Sequence, residues 1–211
     1  MISCRVFRSE KDVGELQGKL KDGRYEENEL VTLVTSELQN DDLWGEIKYE
    51  EWEDIRDIEG NVRKEKAAKS VKFVCVVSKN SSFFVTIGRE GEKAVAKVNK
   101  IIGNAIAKQF FYPDMIDKFL QQNPHVKKGS GWGDLDIPGL EGASLRGTDV
   151  DATPQFSQNY DRHGKKESCR ASLTQYGWTI HLSKNGTITF YKNLPEKGMM
   201  EFVKKSILPL L

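Results

Sequence analysis

Hydrophobic positions along the chain alternate with a period of two in some stretches and return every three or four residues in others, which separates strands from helices. In residues 71–77, Val71, Phe73, Cys75 and Val77 alternate with Lys72, Val74 and Val76. Both faces are largely apolar, so this segment predicts a central strand. In residues 178–183, Trp178, Ile180 and Leu182 alternate with Thr179, His181 and Ser183. That strand has one apolar face and one polar face turned to water or a partner. Ala94, Val95, Val98, Ile101, Ile102, Ala105 and Ile106 form a helical stripe over residues 90–107. Met199, Met200, Phe202, Val203 and Ile207 form another over residues 195–208, and Pro195 suits a first helical turn, where its missing N–H costs nothing.

The remaining segments extend this pattern. Residues 2–7 read as a strand, Ser9 as the cap of a helix over 10–21, and residues 30–38, 43–55 and 83–87 as strands. In the second half, residues 109–112 read as a strand and 113–122 as a helix. Residues 145–150, 154–160, 168–183 and 187–191 supply further strands, and the glycine-rich residues 128–142 read as a long loop. Two tight turns, Ser78-Lys79-Asn80 and Ser183-Lys184-Asn185, lie half the chain apart, each before a short strand and then an amphipathic helix. The same offset aligns Val98 with Val203, Lys100 with Lys205 and Ile102 with Ile207. A duplicated unit accounts for this order. Its copies are residues 1–106 and 107–211, the second containing a loop over 123–144. The asparagines of both turns also fit N-x-Ser/Thr sequons, Asn80-Ser81-Ser82 and Asn185-Gly186-Thr187, which read here as turn chemistry.

Two copies of strand, helix, antiparallel strands and a final helix resemble the saddle fold of the TATA-binding protein. Residues 71–106, with Gly88 at the strand end, carry the likeness best. The resemblance implies an α+β fold of two tandem strand-helix-four antiparallel strands-helix repeats, with a curved saddle-like sheet and helices on its convex face. In that family the concave sheet grips the DNA minor groove, and phenylalanines beside the hairpin turns wedge between base steps. This chain has Val77 and Leu182 before its turns, with Phe83, Phe84 and Phe190 on the return strands. Related saddles serve as protein-binding scaffolds, so the shape alone does not choose the ligand.

Charge sharpens the picture only locally. The 211 residues carry 32 Lys+Arg against 31 Asp+Glu, a formal net charge of +1. Duplex-gripping proteins are usually far more basic. Basic residues nevertheless cluster at Arg63, Lys64, Lys66, Lys69 and Lys72, and again at Arg162, Lys165, Lys166 and Arg170. With Thr179, His181, Thr187, Thr189 and Tyr191 along the second half's strands, they form the expected nucleic-acid surface. About six phosphate contacts would give log affinity against log salt a slope near −5. Acids gather at Glu46, Glu50, Glu51, Glu53, Asp54, Asp57 and Glu59 and would favour a basic protein surface instead. An exposed apolar patch at Phe83, Phe84 and Val85 would serve that alternative, a protein adaptor.

Catalytic and cofactor chemistry finds little support. Cys4, Cys75 and Cys169 are odd in number and widely spaced, which predicts no disulfide framework and a reducing compartment, cytoplasmic or nuclear. No apolar run reaches membrane-spanning length, and the first residues lack a secretory pattern. Asp161-Arg162-His163 beside Cys169 fits no nucleophile motif. Gly129-Ser130-Gly131-Trp132-Gly133 lacks the Lys-Ser/Thr of a phosphate loop. Asp134, Asp136, Asp149 and Asp151 match no calcium-loop spacing. The expectation is a non-catalytic binder of a macromolecule with no cofactor and no metal, nucleic-acid duplex ahead of protein.

Overall fold

Two-residue turns shape the first half of the chain in the computed structural model, which describes residues 1–152 and 154–211. The backbone separates into an N-terminal unit, Phe7–Ala107, and a C-terminal unit, Lys108–Leu211 with Met1–Val6. In chain order the first elements are β1 (Ile2–Ser9), α1 (Val13–Leu20), β2 (Asp22–Glu27), β3 (Leu30–Gln39), β4 (Asp42–Arg56), β5 (Val62–Ser78), β6 (Ser81–Ile87) and α2 (Gly91–Ile102). Asn28-Glu29, Asn40-Asp41 and Lys79-Asn80 each place two consecutive residues at positive φ, between 47° and 67°. That is the geometry of primed two-residue turns, whose twist matches that of the strands they join. Antiparallel register follows directly: Glu27 faces Leu30, Gln39 faces Asp42 and Ser78 faces Ser81.

The core of the N-terminal unit lies between its sheet and its two helices. Val13, Leu16 and Leu20 of α1 and Ala94, Val95, Val98 and Ile102 of α2 cluster with Val34, Ile47, Val71, Phe73 and Phe84. The Phe73 and Phe84 rings stack with centroids 4.7 Å apart. The side-chain amide of Asn99 ties the end of α2 to the next strand, donating to the Ile106 carbonyl oxygen at 2.7 Å and accepting from the Ile106 N–H at 2.9 Å.

The C-terminal unit continues with β7 (Ile106–Lys108), α3 (Pro113–Gln122), β8 (His125–Ile137), β9 (Leu140–Arg146), α4 (Pro154–His163), β10 (Lys165–Leu173), β11 (Trp178–Ser183), β12 (Thr187–Phe190) and α5 (Glu196–Phe202). α5 runs on through a π-helical turn, Val203–Ile207, and a closing 3₁₀ turn, Leu208–Leu210. Cys169, Ala171, Leu173, Ile180, Leu182, Ile188 and Phe190 are buried on one face of the strands, as are Ile116, Phe119, Met199, Met200 and Phe202 of the helices. Phe202 makes edge contacts with Phe119, Trp178 and Phe190 at centroid distances of 5.7–6.1 Å.

The expected α+β saddle of two-helix repeats is not the architecture that forms. Among the described residues 50% are strand and 26% helix, the strands mostly antiparallel and the five helices short. The strand order is β2-β3-β4-β5-β6 in the N-terminal unit and β1-β12-β11-β10-β8-β9 in the C-terminal unit. Particular elements differ for local reasons. Residues 128–142 are strands: glycines at 129, 131 and 133 fall at every second position, where neighbouring strands press against the backbone. Residues 154–160 are helical, opened by Pro154. Asp12, not Ser9, caps α1, accepting from the Glu15 N–H at 2.7 Å. β2 lies in a stretch too charged to read as a strand, and the short strand after α2 is residues 106–108, not 109–112.

The two Ser-Lys-Asn turns also differ. Ser183 to Gly186 is closed by the Gly186 N–H donating to the Ser183 carbonyl at 3.0 Å, and Gly186 alone takes positive φ, +79°. This is a longer turn with a glycine bulge. A methyl group on Gly186 would collide with the Gln109 carbonyl oxygen and lie 3.0 Å from that of Val6, whereas Gly177, at φ +62°, has open space around it. Gly177→Ala therefore costs about 1–2 kcal/mol, the left-handed penalty alone, and Gly186→Ala about 3–4 kcal/mol. Urea denaturation of both variants checks this; equal shifts in midpoint would contradict the assigned turn geometry.

Candidate nucleic-acid interface

Antiparallel register carries side chains of one sign and type straight across the C-terminal strands. Paired residues in an antiparallel sheet point to the same face. One row runs Ser3, Thr189, His181, Arg170, Gly129, Arg146 across β1, β12, β11, β10, β8 and β9. The neighbouring row runs Arg5, Thr187, Ser183, Ser168, Gly131, Ser144 over the same strands. Neither row contains a carboxylate. Hydroxyls pair along the face, Ser3 with Thr189 at 3.1 Å and Ser172 with Thr179 at 2.8 Å.

The glycines of β8 hollow this face into a trough. A Cβ at Gly129 would approach the Leu145 carbonyl oxygen to 2.8 Å, and one at Gly131 would approach the Ser168 Oγ to 2.7 Å. Their absence leaves a concavity of about 230 Å³ lined by Ser144, Arg146, Ser168, Arg170, His181 and Tyr191. Strand spacing puts its two walls, β10 and β9, about 10 Å apart.

Electrostatics in the trough is one-sided. Among the described residues, neither Arg146 nor Arg170 has a carboxylate partner. The Arg170 guanidinium lies 4.2 Å from the centre of the Tyr191 ring, a cation–π contact, and its buried Nε has no acceptor. Burial first, and then Arg170 and Arg146, hold the His181 imidazole below its ordinary value of 6.5. His181 is therefore neutral at pH 7.

The other basic residues do not converge. Strict alternation along β5 sends Lys64, Lys66 and Lys72 to one face and Arg63 and Lys69 to the other. Most are also ion-paired: Arg63 with Glu65 at 2.7 Å, Lys69 with Glu53 at 2.5 Å and Lys66 with Glu29 at 3.9 Å. In the second cluster, Lys165 pairs with Asp134 at 3.2 Å. Arg162 is exposed on α4. The Lys166 side chain is only 9% exposed and is held by Asp117 and Asp161. Burial opposes its charge, but those two carboxylates hold the ammonium above its ordinary value. Its role is structural. The acidic run is divided in the same way, with Glu46, Glu50 and Asp54 on one face of β4 and Glu51 and Glu53 on the other.

Phe83, Phe84 and Val85 are no surface patch. They are 2%, 0% and 0% exposed, because both faces of β6 are covered. The Cys169 thiol is buried and pushed up to about 12 by desolvation, while the His163 Nδ1–H donates to the Asp136 carboxylate at 2.8 Å. Asp134, Asp149 and Asp151 are engaged by Lys165, the Asp151 N–H and Lys127 respectively. No group of three or more potential metal ligands occurs among the described residues, nor a helix long and apolar enough to cross a membrane.

Of the expected surface, Arg170, Thr179, His181, Thr187, Thr189 and Tyr191 come together. Arg146, Ser144 and Ser168 join them without having stood out in the sequence, beside Gly129 of the glycine run at residues 129–133, whose period of two is the available signal. Neither a protein-family model nor a curated protein matches the chain.

An NMR titration of the His181 ring checks the electrostatics. The imidazole titrates below 6.5, and Arg170→Gln moves it upward but not beyond that value, since burial persists. Depression of the folded-state value means that this group's contribution to stability is present above 6.5 and is lost as pH falls through the lower folded-state value. An unchanged titration in Arg170→Gln would show that the guanidinium does not act on His181.

Proposed function

We propose that the C-terminal unit binds nucleic acid along the trough, a single strand ahead of a duplex, without catalysing a reaction on it. The observation that carries this reading is the pair of carboxylate-free rows with unpaired Arg146 and Arg170 astride the glycine strand. Phosphate contacts supply most of the affinity of nucleic-acid binders, and hydroxyls with one exposed aromatic ring add sugar and base contacts. Tyr191, 41% exposed, is that ring. A trough about 10 Å across suits one phosphodiester chain. The duplex preference depended on a saddle-shaped sheet with a far larger cationic footprint.

A second reading rests on a different element. Beyond Tyr49 of β4, where pairing with β3 ends, residues 51–56 and 62–67 pair only with each other. This ribbon carries Trp52, Ile55, Ile58 and Val62, each at least 37% exposed. Such a tip fits a protein contact.

Fluorescence anisotropy with labelled single-stranded and duplex oligonucleotides tests the first reading. With about two phosphates engaged, by Arg146 and Arg170, log affinity falls with log salt at a slope near −1.4 for a single strand. Arg146→Gln combined with Arg170→Gln weakens binding about tenfold or more and removes most of that slope. Trp52→Ser with Ile58→Ser leaves it unchanged. Failure of the single-stranded oligonucleotide to bind at low salt, or full affinity in the arginine double variant, would overturn the assignment.

A further inference from the structure

The trough has a local feature that a general polyanion surface does not require. Two guanidiniums, one imidazole and the hydroxyls of Ser144 and Ser168 line a single concavity of about 230 Å³. That is smaller than the ~300–1,000 Å³ of pockets that enclose whole cofactors, and large enough for one tetrahedral anion and its first waters. Like charges brought together without a counter-charge repel one another, so the arrangement is costly until an anion enters. Arg170 is also fixed in advance, because the Tyr191 ring 4.2 Å away holds the guanidinium over the trough. Restricting that side chain before binding lowers the entropy lost when a ligand arrives.

We propose that this concavity is an oxyanion seat, in which one phosphoryl group of the ligand is held by Arg146 and Arg170, with Ser144, Ser168 and His181 as its hydrogen-bonding neighbours. The seat deepens the nucleic-acid reading and rests on it for the source of the phosphoryl group. Guanidiniums match tetrahedral oxyanions because two parallel N–H groups reach two oxygens at once. The Nε–H of Arg170, which has no acceptor, adds an unspent donor.

His181 makes the seat responsive to pH. The charged or titratable groups on the strands around it are Arg170 on β10, Arg146 on β9 and, following β12, Tyr191; Thr189 is its uncharged neighbour. Burial first, and then those cations, hold the imidazole below its ordinary value. An anion between them reverses the local sign and favours the imidazolium, so binding takes up a proton and strengthens as pH falls.

Sulfate is the probe, because it does not titrate in the relevant range. Titrating isotopically labelled protein with sulfate at constant ionic strength gives saturable shifts at Ser144, Arg146, Ser168, Arg170 and His181. Affinity rises several-fold from about pH 7.5 to about pH 5.5. Arg170→Gln weakens binding about tenfold or more with resonances outside the trough unmoved, which separates loss of the seat from loss of fold. His181→Gln keeps binding and loses its pH dependence. Competition with inorganic phosphate, a 5′-phosphorylated dinucleotide and its unphosphorylated counterpart then identifies the source.

Oligonucleotide binding without saturable sulfate shifts in the trough would overturn the seat and leave the nucleic-acid reading intact. Sulfate binding in the trough without oligonucleotide binding would uphold the seat, assign it to a small phosphate ester and remove that reading. A pH-independent sulfate affinity in the unaltered protein would overturn the role given to His181.

Discussion

Alternation along antiparallel strands governs everything proposed for this protein. Because successive side chains point to opposite faces, the register of β8 to β12 sends Cys169, Ala171, Ile180, Leu182, Ile188 and Phe190 into the core and Ser168, Arg170, Thr179, His181, Thr187 and Thr189 to the other side. A slip of one residue would bury two guanidiniums' worth of charge and expose the aliphatic core. The hydrophobic effect thus sets the register, and the polar face inherits its order from that choice. Glycine at every second position of β8 then does for the surface what small residues do in any crowded strand: it lets neighbours close in, here leaving a trough between Arg170 and Arg146.

A near-neutral chain is compatible with a cationic site because charge acts over short range in salt water. Several of the Lys and Arg residues that cluster in sequence are cancelled where they stand, on β5 by Glu53 and Glu65 and near β10 by Asp117, Asp134 and Asp161. What distinguishes Arg146 and Arg170 is their convergence on one concavity whose lining has no carboxylate. The same two guanidiniums add to the burial that holds the His181 imidazole below its ordinary value.

Parts of this were legible in the sequence. The one-sided pattern of residues 178–183 placed His181 on a polar face beside Thr179, and the two-sided apolar pattern of 71–77 anticipated a strand buried on both sides. Other parts were not, for physical reasons. Cations adjacent in sequence looked like a patch, but period two divides those of β5 between opposite faces. Phe83, Phe84 and Val85 looked like an excess of apolar surface because nothing in a linear pattern says that both faces of β6 are covered. Glycine-rich residues 128–142 looked like a loop because glycine is weak in strands on its own; only the partner strands reveal why it is needed there. The α+β saddle was overturned by the extent of sheet, since β2 and β8 came from segments whose composition hides their pairing.

Photo-cross-linking of a single-stranded oligonucleotide to the intact protein, followed by peptide mapping, addresses the central claim most directly. The account predicts adducts in residues 125–146 and 165–191, with Tyr191 prominent among them. Adducts concentrated instead in the β4–β5 ribbon, residues 51–67, would contradict it.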